Sequence, residues 1–172
     1  MAARGSRGRR AATPAVIRLL VLDVDGVLTD GRLWFGARSE VMKAFHVRDG
    51  HGIRALLAAG IEVVVISGRR SAAVVRRCRE LGIGRVFQGV QDKRAAFERV
   101  RRQLGVEAAE CACVGDDLPD VPLMRAVGLA FAVADAHDSA LTAAHAVTRA
   151  AGGAGAVREV CDELLRRRAV RA

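Results

Sequence analysis

Asp23 and Asp25 close the apolar run IRLLVLDVDG, and Asp116 and Asp117 close a second run, CACVGDD. Between them, Ser67 ends the run IEVVVIS, and Asp92 and Lys93 follow RVFQGV. Each residue alone has a plain reading, since an aspartate at a strand end often caps the next helix. Two acids, a hydroxyl, a cation and a second acid pair at successive strand ends are more than capping requires. Carboxylates gathered in a partly buried place repel one another unless a proton or a cation lies between them. Mg²⁺ suits such oxygens and also binds phosphate, and the sequence has no His or Cys cluster of the kind that takes zinc. Displacement at phosphorus mainly needs charge neutralisation and positioning. The cation, Lys93, the Ser67 hydroxyl and backbone N–H groups at DGV and SGR would supply both. Asp23 could then attack phosphorus. Asp25 could give a proton to the leaving oxygen and later take one from water, which requires a proton on Asp25 in the substrate complex.

The elements that must position these residues follow from periodicity. IRLLVLDVDG reads as a buried strand. LWF and VMKAFHV around GARSE read as a β-hairpin over about residues 29–48. GIRALLAAG has helical spacing, IEVVVISG is a second buried strand, and SAAVVRRCRELG is a helix closed by Gly82. RVFQGV, CACVGDD and GLAFAV continue as strands, and KRAAFERVRRQLG and DVPLMRAVG as helices. This alternation predicts right-handed crossovers and a doubly wound, mostly parallel α/β sheet with helices on both faces. Ligands of such sheets bind beyond the carboxyl ends of the strands, where the acids, Ser67 and Lys93 all fall.

The length of 172 residues suits one domain, expected over residues 15–168, with a disordered basic leader at 1–14 and a tail at 169–172. No apolar run approaches the roughly 20 residues of a membrane span, and the Arg-rich start has no apolar signal region. A cytoplasmic protein without a membrane partner is expected. The formal charge of +9 would suggest nucleic acid, but eight arginines (Arg4, Arg7, Arg9, Arg10, Arg166, Arg167, Arg168 and Arg171) sit at the two ends. Without them the charge is +1, and one Trp with no Tyr leaves little for base stacking. No nucleic-acid role is expected. Cys78, Cys111, Cys113 and Cys161 form no CxxC pair and read as buried thiols.

DVDGVLTDG, ISGR, DK and GDDLPD occur in the order found in the haloacid dehalogenase superfamily, which the chain resembles over nearly all of residues 17–165. The resemblance implies Asp23 as nucleophile, Asp25 as acid/base, Ser67 and Lys93 as holders of the phosphoryl group, and Asp23, Asp25 and Asp116 around Mg²⁺. Asp25 speaks for a phosphatase or phosphomutase, because dehalogenases lack this second Asp and the transport ATPases carry Thr there. Neither usual insertion point has room for a cap domain, so the site would stay open to water unless another subunit closes it. AFHVRDGHGI and GGAGAVREVCDELL resemble one capless subfamily, the 3-deoxy-D-manno-octulosonate 8-phosphate phosphatases of lipopolysaccharide synthesis. That resemblance implies a homotetramer with shared active sites and a sugar-acid phosphate substrate. It also implies substrate contacts from Asp25, His46, Val47, Arg48, Asp49, Gly50, Arg54, Arg69, Arg77 and Lys93. Arginine suits the substrate's carboxylate. The competing readings are a phosphatase for a nine-carbon 2-keto-3-deoxy sugar-acid phosphate and a non-catalytic oligomerisation module.

Overall fold

The computed structural model describes residues 16–37 and 40–170. The basic leader, the middle of the GARSE turn and Arg171 lie outside the described residues. The first strand, β1 (Leu19–Leu22), is buried on both faces. Leu20 and Leu22 pack into one core layer, Leu19 and Val21 into the other. A strand with no solvent face must be apolar throughout, so its first polar side chain, Asp23, appears where it leaves the sheet.

A two-stranded antiparallel hairpin follows, β2 (Trp34–Phe35) and β3 (Glu40–Met42). Helix α1 (Val47–Ala58) then leads to β4 (Glu62–Ser67), α2 (Ala72–Leu81) to β5 (Arg85–Gln88), and α3 (Lys93–Leu104) to β6 (Cys111–Gly115). The main sheet has the order β5-β4-β1-β6, extended by β7 (Leu129–Ala132) and β8 (Ala146–Val147), and every pairing in it is parallel. From β1 the chain winds outward to β4 and β5, then crosses back to β6 and winds the other way. The switch point therefore lies between β1 and β6, the two strands that carry the acid pairs. Leu22 pairs with Val114, so Asp23 and Asp116 leave adjacent strands one residue out of step.

One core layer holds Ile53 and Leu56 of α1, Val74 and Leu81 of α2, and Val157, Val160 and Leu164 of a C-terminal helix. The other holds Phe97 and Val100 of α3 with Leu123 and Met124. All four cysteines are buried and unpaired, and burial pushes the Cys78 and Cys111 thiols up to about 11 and about 12. No helix among the described residues is long and apolar enough to cross a membrane.

The structure corrects the boundaries at three places. Residues 47 and 48, read as the tail of the hairpin, form the first turn of α1. His46 caps it, Nδ1 accepting from the Arg48 N–H at 3.2 Å, and this capping outweighs the strand-like alternation of Phe45 and Val47. DVPLMRAVG contains only a single α-turn, α4 (Val121–Met124), entered through a 3₁₀ turn at Leu118–Asp120. After β7 the chain adds α5 (Asp138–Ala143), β8 and α6 (Ala156–Ala169), elements that the run of apolar patterns does not announce.

Candidate active site

At the carboxyl edge of β1 and β6, carboxylate oxygens of Asp23, Asp116 and Asp120 lie within 4.8 Å of one another. Lys93 enters from the first turn of α3, which Asp92 caps by accepting from the Ala95 N–H at 2.9 Å. The Lys93 side chain is 5 % exposed, and its Nζ lies 2.9 Å from Asp23 Oδ2 and 2.6 Å from Asp120 Oδ1. Asp120 also accepts from the N–H groups of Asp116 at 3.0 Å and Asp117 at 3.4 Å. It thus binds the lysine with one oxygen and shapes the loop after β6 with the other. Ser67, buried at the end of β4, is fixed through its carbonyl, which accepts from the Val90 N–H at 3.1 Å.

Three carboxylates around one buried ammonium leave the negative charge in excess. Burial first, and then the neighbouring Asp120, raise Asp23 to about 6, against the opposing pull of Lys93. Burial first, and then Asp23 and Asp120, raise Asp116 to about 8. Burial pulls the Lys93 ammonium down, but Asp23 and Asp120 outweigh it, and its proton is held more tightly than in water. A hard divalent cation is the natural complement of such an oxygen set, and the donors present fit Mg²⁺.

A pH dependence follows. An acid that holds its proton more tightly when folded contributes stability that is complete below the ordinary carboxylate value of 3.8 and is lost as pH rises through its folded value. In chelator, thermal stability should therefore fall from about pH 4 to about pH 8. Added Mg²⁺ should flatten the alkaline part of the curve, because it binds only the folded site. A melting series with and without Mg²⁺ checks this, and equal slopes would contradict it.

The remaining expected site residues divide. The Asp25 carboxylate is not in the acid cluster. It is paired with the Lys43 ammonium, whose side chain is 1 % exposed, and lies 3.8 Å from Arg69 Nε. Arg69 also stands over the Phe35 ring at 5.9 Å, which joins the Ser67 strand end to the hairpin. Val47 is 79 % exposed. Arg48 is exposed, while Gly50 is buried with the Arg77 guanidinium laid against it. Arg54 donates to the Glu80 carbonyl of α2, and Arg77, on α2 itself, lies 3.5 Å from Glu80 Oε2.

Asp49 is spent inside the fold. Helix α6 begins at Gly155, which has no side chain to cap it, and Asp49 Oδ1 reaches over from α1 to accept the Arg158 N–H at 2.8 Å. Its Oδ2 is buried with no hydrogen-bond partner among the described residues, and burial raises its pKa against the pull of Arg158, His46 and Arg77. Asp49→Ala should cost about 1–3 kcal/mol by urea denaturation. Asp49→Asn, which keeps an acceptor and removes a buried charge, should cost less. Equal losses would show that the acceptor is irrelevant.

Two site residues escape a sequence reading. Asp120 is the last acid of GDDLPD, brought back beneath Asp116 by the 3₁₀ turn, and a second acid four residues after the first is the available signal. Lys43 is the one cation in VMKAF, and only the folded hairpin brings it to Asp25.

A doubly wound sheet with acids from both sides of its switch point and a buried lysine between them is the framework of a phosphoryl-transferring hydrolase. A haloacid dehalogenase-like hydrolase model matches residues 47–128. The chain is 53% identical over 149 residues to the 3-deoxy-D-manno-octulosonate 8-phosphate phosphatase KdsC of Escherichia coli (strain K12), an alignment covering 87% of this chain and 79% of that protein. The crystal structure of the phosphatase of that name from Yersinia pestis superposes with a TM-score of 0.86 at 49% identity, covering 89% of this chain and 83% of that one. The Moraxella catarrhalis phosphatase, solved in complex with magnesium ion, phosphate ion and a KDO molecule, superposes with a TM-score of 0.85 at 41% identity, covering 87% and 86%. The chain belongs to the haloacid dehalogenase-like hydrolases, on the branch of these sugar-acid phosphatases.

Proposed function

We propose that this protein hydrolyses 3-deoxy-D-manno-octulosonate 8-phosphate to the free sugar acid and phosphate, a step of lipopolysaccharide synthesis. The observation that carries the reading is the buried Lys93 bridging Asp23 and Asp120, with Asp116 beside them, in a chain so similar to phosphatases of that substrate. Asp23, Asp116 and Asp120 would hold Mg²⁺ through carboxylate oxygens, with Asp25 contributing from the loop that follows Asp23. The ion would neutralise charge on the acids and on the phosphoryl oxygens.

Lys93 and the Ser67 hydroxyl hold the phosphoryl group in line with Asp23. A carboxylate oxygen of Asp23 forms a bond to phosphorus as the bond from phosphorus to the sugar's O8 breaks, and Asp25 delivers its proton to O8. Water then attacks the aspartyl phosphate, Asp25 takes its proton, and the bond from phosphorus to Asp23 breaks to release phosphate. In the free protein Asp25 is engaged by Lys43 and Arg69, and the anionic groups of the substrate offer both cations another partner. His46, Val47, Arg48, Gly50 and Arg69 would contact the sugar acid. Asp49 and Arg54 would shape that wall through their contacts with α6 and α2, and Arg77 from α2 through its contact with Gly50.

The working form would be a cytoplasmic homotetramer whose neighbouring chains complete each site. Its support is the apolar surface of the hairpin, where Leu33, Trp34, Phe35 and Met42 are exposed beside Arg69. Light scattering measures the assembly. The test of function is phosphate release from a panel of sugar-acid phosphates with Mg²⁺ and after chelation. The eight-carbon substrate should lead, with activity lost in chelator. A tenfold or greater advantage for a nine-carbon substrate would overturn the assignment.

A further inference from the structure

After its last strand the chain returns to the catalytic edge in the segment AGGAG, residues 151–155, which leads into α6. This segment lies on the loop that carries Asp23 and Asp25. A Cβ built on Gly152 would fall 1.7 Å from the Gly26 carbonyl oxygen, 2.5 Å from its carbon and 3.1 Å from the Thr29 carbonyl oxygen. Gly153, at φ +66°, would place a Cβ 2.4 Å from the Asp30 nitrogen, and its own N–H donates to the Val27 carbonyl at 3.0 Å. Main chain meets main chain here, so no flexible side chain can give way. Gly26 in turn abuts Asp116, whose Oδ2 lies 2.0 Å from the position of a Gly26 Cβ. Gly152, Gly26 and the Asp116 carboxylate are stacked with no other side chain between them.

The segment is also tied to the loop after β7. The Gly152 N–H donates to Asp135 Oδ1 at 2.9 Å, and the Ala134 N–H donates to the Ala150 carbonyl at 3.3 Å. Two residues past Asp135, the His137 N–H donates to the Asp116 carbonyl at 2.8 Å. The loops after β1, β6 and β7 and the segment before α6 thus close a ring around the switch point. Asp116 is itself one of its links, Asp23 opens its β1 loop, and Gly152 and Asp135 are in its frame.

The geometry points to Gly152 and Asp135 as positioning residues, which set the spacing of the Asp23 loop and Asp116 and thereby the metal-assisted phosphoryl transfer between them. The inference rests on the phosphatase reading of the site. Mg²⁺ demands near-ideal octahedral geometry, and a misplacement of about 1 Å can cost about 10²-fold in rate. A Cβ at 152 cannot be housed without a displacement of that order.

The experiment compares the full-length protein with Gly152→Ala, Asp135→Ala and Asp135→Asn, measuring kcat, KM and the Mg²⁺ concentration for half-maximal activity. Gly152→Ala should lower kcat by about 30- to 100-fold, raise the Mg²⁺ requirement several-fold and change KM little. Asp135→Ala should do the same more weakly, about fivefold in kcat, and Asp135→Asn, which keeps the acceptor, should restore it. A folded Gly152→Ala protein with wild-type kcat and Mg²⁺ dependence would overturn the inference. Should that variant not fold, equal kcat and Mg²⁺ dependence in Asp135→Ala and Asp135→Asn would overturn it. Wild-type protein inactive on every sugar-acid phosphate would overturn the functional reading instead. Mg²⁺ binding by calorimetry would then judge the positioning role, which predicts weaker binding in Gly152→Ala and fails if the affinities match.

Discussion

Asp23→Asn should abolish phosphate release, by about 10⁴-fold or more, while leaving the metal-free protein at least as stable as the wild type. The two effects have one origin. Burial and the Asp120 carboxylate raise Asp23 to about 6, so above that pH the charged form opposes folding. Asparagine has nearly the same shape and no charge, and Lys93 keeps its contact with Asp120 at 2.6 Å. In chelator near pH 8 the gain should be on the order of 1–3 kcal/mol. The amide cannot attack phosphorus, so no aspartyl phosphate forms. Phosphate release, together with chemical denaturation in chelator, checks both halves. Retained turnover would remove Asp23 as nucleophile, and a large loss of stability would show that its charge is needed to balance Lys93.

Lys93→Ala should act in the opposite sense on stability. The Lys93 ammonium is the buried cation between Asp23 and Asp120, and its removal leaves the buried carboxylates of both uncompensated. Breaking a buried pair in this way costs about 3–5 kcal/mol, in contrast to the small values of exposed pairs such as Arg76 with Glu80. Mg²⁺ should recover part of the loss by binding the folded state. Activity should fall by about 10²-fold or more even at saturating Mg²⁺, because the phosphoryl group loses a fixed positive charge. Paired melts in chelator and in Mg²⁺ measure the stability term. A metal-free variant as stable as the wild type would mean that protons, and not Lys93, neutralise the acids.

The main sheet was legible because its central strands are buried on both faces. LLVL, EVVVIS and CACVG have no solvent side, so each is continuously apolar and its first polar residue marks the edge where ligands bind. Asp23, Ser67 and Asp116 therefore stand out at strand ends, and Lys93 as the cation that follows the run RVFQGV. The entry into α1 escapes pattern reading because Phe45 and Val47 alternate like a strand, and the deciding interaction is the local one between His46 and the Arg48 N–H. Beyond β7 the elements are short and rich in Ala and Gly. Their stability comes from packing and from a cap supplied by Asp49, 109 positions from Arg158 in sequence, and no local pattern reports a partner so far away.

Which residue types reach the sheet's carboxyl edge, and in what order, is written along the chain, because strand burial and helix capping are local rules acting on neighbouring residues. Which of them meet is set by the packed fold. It brought Asp120 and not the Asp25 carboxylate into the acid cluster, engaged Asp25 with Lys43, tied Asp49 to the start of α6, and laid Gly152 on Gly26. Each of these contacts joins a loop or helix end to another element, and their geometry follows from how the sheet's strand order and register bring those elements together rather than from spacing along the chain.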